Sequence, residues 1–168
     1  MPRGGEASTV SAPDREAYAA RHAQLLDALL RGGEPPAGFD AAQAAAAGSS
    51  LRRKRARAVA QAWPALALQL GDTFGPCFDA FARAADAPAS GGPLADGLAF
   101  ARSLRHATPL DDDARVELLL TRAALRRRGI FVGAAWLRRP RRRLLVVARL
   151  PGLGVMHRSV PRRRPRPG

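Results

Sequence analysis

Between residues 50 and 104 the chain carries an apolar stripe at helical spacing, interrupted by glycine and proline and then resumed twice. At about 100° per residue, Val59, Ala62, Trp63, Leu66 and Leu70 fall in one sector roughly 100° wide. That pattern commits residues 51–70 to a helix with one buried face. Carried back along the helix, the same sector contains Arg52 and Arg55, whereas Arg53, Lys54 and Arg57 point away from it. The outward three form a solvated face. Arg52 and Arg55 belong at the core margin, where each guanidinium needs a carboxylate or carbonyl partner. Asp72 and Asp96 are the candidate carboxylates, so these four residues are expected to make the structural ion pairs.

The punctuation around this stripe sets the remaining elements. Pro64 lies inside the helix and is expected to remove one backbone bond or bend it. Gly71 ends the helix, and Asp72 or Thr73 starts the next one, over about 74–86. Phe74, Phe78 and Phe81 lie there at helical spacing, as a core row rather than a stacking platform, with Cys77 among them as a small buried hydrophobe. A linker, PASGGP, precedes a helix expected to bury Leu94, Leu98, Phe100, Ala101 and Leu104.

Upstream, a first helix is expected from 12 to about 31, burying Tyr18, Leu25, Leu26, Leu29 and Leu30. GGEPPAG ends it, Asp40 caps a short Ala-rich helix over 41–47, and Gly48-Ser49-Ser50 breaks the chain again. Downstream, Asp111-Asp112-Asp113 suits the positive end of a helix better than a metal, since adjacent side chains diverge there. That helix ends at Arg126-Arg127-Arg128 and Gly129, which suit the negative end and its cap. The period then changes, and 130–138 and 143–150 read as an antiparallel hairpin turning near Pro140, with 151–156 leading toward a short third strand. The predicted fold is mainly α: about five to six helices in a bundle over 12–128, then a β-hairpin extension over 129–158. Residues 1–11 and the Arg/Pro tail over 159–168 are expected to be disordered.

Charge divides the chain unevenly. Residues 1–117 hold 13 Lys or Arg against 14 Asp or Glu, whereas 118–168 hold 15 Arg and no acid. Such a footprint favours polyanions, acidic partner surfaces or anionic membranes. Only one of the 28 basic residues is lysine, and this arginine-for-lysine usage, with abundant Ala, Gly and Pro, is what a GC-rich genome dictates. Arg126, Arg127, Arg128, Arg138, Arg139, Arg141, Arg142 and Arg143 are the candidate partner-binding residues.

Catalytic signatures are missing from the sequence. His22, His106 and His157 are scattered over three elements, one cysteine cannot make a disulfide, and no nucleophile elbow, phosphate loop or HExxH occurs. No enzyme activity, cofactor or metal site is expected. The N-terminus lacks a signal-peptide pattern and no apolar run approaches about 20 residues, so a cytoplasmic protein with no membrane contact is expected.

LRRKRARAVAQAWPALALQLGDTF (51–74), FDAFARAADAP (78–88) and GGPLADGLAFARSL (91–104) together carry a resemblance. The order is an Arg-rich helix start, an aromatic-Pro step, LG..F, an F..F helix and a DG..FA..L helix. It resembles the helical accessory domain related to the N-terminal domain of HvfC/BufC proteins, long labelled DNA-binding. It is more similar to the actinobacterial version found fused to, or encoded beside, multinuclear non-haem iron oxidative (MNIO) enzymes. GGEPPAGFD (32–40) fits that version, and the resemblance spans about 15–128, with ARLPGLGV (148–155) similar as well. It implies a non-catalytic helper that works with an MNIO-type iron enzyme and presents a ribosomal precursor peptide for modification. The alternative is a nucleic-acid-binding protein using the Arg-rich C-terminal third.

Overall fold

A computed structural model of the chain describes residues 12–85, 90–104, 108–126, 129–138 and 142–161. Among the described residues, six α-helices precede a three-stranded antiparallel sheet: α1 (Ala12–Arg31), α2 (Ala41–Ala62), α3 (Pro64–Leu70), α4 (Phe74–Ala84), α5 (Gly92–Leu104), α6 (Asp112–Leu125), β1 (Phe131–Leu137), β2 (Arg143–Leu150) and β3 (Gly154–Pro161). The fold is therefore mainly α with a C-terminal antiparallel sheet. Contacts divide the chain into two units, Met1–Arg52 and Arg53–Gly168, so the expected helical stretch 12–128 is spread over both. Residues 1–11, at the expected disordered N-terminus, lie outside the described residues.

In the first unit, α1 and the start of α2 approach closely through small residues. Ala28 and Ala44 are buried, and a Cβ at Gly48 would sit 2.6 Å from the Leu29 carbonyl oxygen. Gly48 was expected to break the chain. Instead α2 runs unbroken from Ala41 to Ala62, and this glycine is needed for contact. Asp40 does cap α2, accepting from the Gln43 N–H at 3.0 Å. Arg52 is only 3% exposed and donates to the Leu29 carbonyl at 3.2 Å, in the last turn of α1, where carbonyls lack helical partners. Tyr18 and Leu26, expected in the core, are 67% and 54% exposed, because small residues rather than these large ones line the close approach.

In the second unit, the predicted stripe is the centre of the core: Val59, Trp63 and Leu66 are almost wholly buried. The helix expected over 51–70 divides at Trp63, whose backbone leaves the helical region at φ −131°, ψ 64°, and Pro64 opens α3 as its first residue. Phe74 and Phe78 each meet Phe100 edge to face, at 5.5 and 5.3 Å between ring centres. Gly71, at φ +52°, allows the 3₁₀ turn Gly71–Thr73 that aims Phe74 inward.

The DG..FA..L pattern is the buried face of α5: Asp96, Gly97, Phe100, Ala101 and Leu104 are all buried. Gly97 seats the indole of Trp63, since a Cβ there would fall 2.1 Å from Nε1. That Nε1–H donates to the Leu94 carbonyl at 3.2 Å. Leu94 itself, expected in the core, is 41% exposed, so its backbone rather than its side chain serves the packing.

The sheet runs in the order β1-β2-β3, with Phe131 opposite Arg149 and Leu137 opposite Arg143. Leu119 and Ala123 of α6 pack with Phe131, Leu137, Leu145 and Val147 in a second small core. The predicted hairpin is present, and β3 extends it into a full third strand through Pro161. Residues 159–161, expected in the disordered tail, thus belong to the sheet; 162–168 lie outside the described residues.

Two substitutions test the core. Gly97→Ala drives a methyl group into the Trp63 ring and is expected to cost about 1–3 kcal/mol, read as a lower urea midpoint with unchanged slope. Asp96→Asn leaves the Arg55 guanidinium without its carboxylate and is expected to cost about 3 kcal/mol, whereas the paired change Arg55→Met with Asp96→Leu recovers much of that loss.

Candidate partner-binding surface

Arg55 and Asp96 meet across the second unit in a two-pronged pair, Nε to Oδ2 at 3.0 Å and Nη2 to Oδ1 at 3.1 Å, both side chains nearly buried. The Arg55 guanidinium also lies 5.7 Å from the Phe78 ring centre. Asp72, expected to share this role, is exposed on the 3₁₀ turn, because the turn holds all three of its residues outward. Arg53, Lys54 and Arg57 are exposed, leaving the α2 charges as a solvated face and a buried pairing face.

Helix α6 organises the other charges. Asp111 caps it, accepting from the Ala114 N–H at 2.8 Å. Asp112 accepts the Arg138 backbone N–H and lies 3.8 Å from the Arg115 guanidinium, and Arg115 in turn donates to the Trp136 carbonyl at 3.3 Å. Asp111 and Asp112 therefore serve the helix and the sheet. At the other end, Arg149 donates to the carbonyls of Ala123 and Ala124, at 3.1 and 2.6 Å, in the last turn, where the Ala123 carbonyl also accepts from the Arg126 N–H. Both ends of α6 are thus tied to the sheet. Midway, Glu117 accepts from the N–H groups of Ala65 and Leu66, at 3.2 and 2.9 Å, and so caps α3.

The four described candidate arginines do not form one patch. Arg126 is exposed where α6 ends, beside the start of β1. Arg138, Arg142 and Arg143 are exposed at the opposite end, where β1 leads to β2, so the seven-residue β1 separates the two groups by roughly 20 Å. Arg127, Arg128, Arg139 and Arg141 lie outside the described residues. A shallow depression of about 770 Å³ at that second end is lined by Asp111, Asp112, Asp113 and Arg115 together with Arg138 and Arg143. The acid-free C-terminal third therefore receives carboxylates from the start of α6. Among the described residues, no three His, Cys, Asp or Glu side chains gather as metal ligands, and no helix is long and apolar enough to cross a membrane.

Sequence reasoning missed Glu117, Arg149 and the exposed Trp136. The first two act on helix ends distant in sequence, and nothing local announces them. Trp136 was legible in principle, since it alternates with half-buried Ala135 and buried Leu137 along β1.

The fold defines a small helical module with a sheet packed on its last helix. The chain belongs to the SCO6045-like C-terminal domain family, whose model matches residues 19–106, just over half of the chain. That segment covers most of α1 and all of α2–α5, and it ends before α6 and the sheet. A UPF0276 protein of Streptomyces avermitilis is 37% identical over 112 residues, which is 66% of this chain and 23% of that protein. The chain thus spans under a quarter of the length of that relative. No solved structure matches.

Arg149→Ala is expected to lower stability by about 1–2 kcal/mol, because the carbonyls of buried Ala123 and exposed Ala124 both lose a charged donor. Arg142→Ala, at an exposed position, is expected to change it by less than about 0.5 kcal/mol. Thermal or urea melts of the two variants distinguish the structural arginine from a free one.

Proposed function

We propose that the chain is a non-catalytic accessory protein that works beside an MNIO-type iron enzyme and helps to present a ribosomal precursor peptide to it. The carrying observation is the arrangement in the Streptomyces avermitilis relative, where the matching stretch is only 23% of the protein. A domain that recurs joined to a much longer polypeptide is suited to assisting what the rest of that polypeptide does. The motif resemblance to HvfC/BufC-like accessory domains supplies the class of enzyme. The structure supports the reading physically, because the motif residues are used up in packing: Gly97 seats Trp63, Asp96 pairs with Arg55, and Phe100 fills the core. This leaves the sheet and its arginines for the partner.

Affinity purification of the full chain from its native cells at about 150 mM salt tests this. An iron-containing oxidative enzyme is expected in the eluate, together with loss of a peptide modification when the gene is deleted. The competing outcome is recovery of nucleic acid alone, with duplex binding that weakens steeply as salt rises. That result would replace the accessory reading with a nucleic-acid-binding one.

A further inference from the structure

The face of the sheet turned away from α6 is apolar. Strand alternation and register place Val132, Ala134 and Trp136 of β1 on it, with Leu144, Val146, Ala148 and Leu150 of β2, and Met156, Arg158 and Val160 of β3. Three rows cross the sheet: Val132 beside Ala148 and Met156, Ala134 beside Val146 and Arg158, and Trp136 beside Leu144 and Val160. Val132 is 68% exposed and Trp136 56%, and Met156 and Val160 are about half exposed. An antiparallel sheet with one face on a helix ordinarily shows polar residues on the other. Here the solvent side carries apolar side chains at nearly every position, the pattern of an interaction surface.

Charge chooses the occupant. Arg158 stands in the middle row, and exposed Arg138, Arg142 and Arg143 stand at one end, while the sequence from 118 onward contains no acid. Two copies joined through this face would set arginines against arginines with no carboxylate on either set of strands. A nucleic acid would stack its bases on aromatic rings, and Trp136 is the one aromatic side chain among these outward positions. Aliphatic side chains with a guanidinium group among them and others at one end fit a segment of protein that carries both apolar and acidic residues.

We propose that this outer face of the sheet docks an acidic, apolar-bearing peptide segment of a partner protein. Its apolar side chains pack on Val132, Trp136, Met156 and Val160, and its carboxylates meet Arg138, Arg142 and Arg158. The surface deepens the accessory reading, on which it rests only for the identity of the partner.

The test uses the full chain and a fluorescein-labelled synthetic 12-residue peptide alternating Glu with Val, Leu and Phe, followed by anisotropy at about 150 mM salt. Binding is expected to weaken at least tenfold in the double variant Val132→Thr with Met156→Thr, whose exposed positions leave the unfolding midpoint unchanged. A second readout needs no variant: the emission of exposed Trp136 shifts to the blue as peptide covers it, while buried Trp63 stays silent. A polyglutamate of equal length and a 12-residue oligothymidylate are expected to bind at least tenfold more weakly. Equal binding of polyglutamate, tighter binding of the oligonucleotide, an unmoved Trp136 emission, or a dimer in sedimentation would each overturn the proposal. Peptide binding with no iron enzyme in the purification would remove the accessory reading and leave this surface standing; the reverse pair of results would do the opposite.

Discussion

Helix α6 is the element on which the second unit depends. Its one side completes the helical core through Ala114 and Leu118, and its other side floors the sheet through Leu119 and Ala123. A single helix can serve two cores only if its rotation and position are fixed. Polar contacts supply that fixing: Glu117 on the start of α3, Asp112 on the Arg138 N–H, and Arg149 on the terminal carbonyls. Gln69 of α3 adds to it, accepting from the Asp111 N–H and donating to the Pro109 carbonyl. Apolar burial provides most of the stabilisation, and these bonds choose the one docking among many of similar hydrophobic merit.

The high arginine content resolves into separate physical uses. Arg52 and Arg55 are structural, because burial obliges them to find an oxygen. Arg149 serves a helix end, and Arg122 lies 5.8 Å from the Phe131 ring centre. Arg53, Lys54 and Arg57 do no more than keep a helix face in water. Net charge alone therefore overstates what is left for a partner.

Much of the helical unit was legible in the sequence because its signals are local. The stripe through Val59, Trp63 and Leu66 and the inward turn of Arg52 and Arg55 follow from a 100° step, and the cap by Asp40 follows from its residue type before an Ala-rich run. Misreadings came where a residue type has two physical uses. Gly48 read as a breaker and proved to be a contact glycine, which only the nearness of Leu29 reveals. Pro64 read as a bend within one helix and instead begins a new one. In the candidate surface, the arginines were visible but their separation along β1 was not, since sequence proximity to one turn says little about which end of a strand a residue occupies.

The cap that Glu117 places on α3 has a consequence in time. Alone, a seven-residue helix is too short to persist in water, and the acceptor for its first N–H groups lies about fifty residues further along the chain. The stretch matched by the family model ends before that acceptor is reached. During synthesis, then, the family's own segment emerges with its central helix unfinished, and the molecule locks only when a part outside that segment returns to close it.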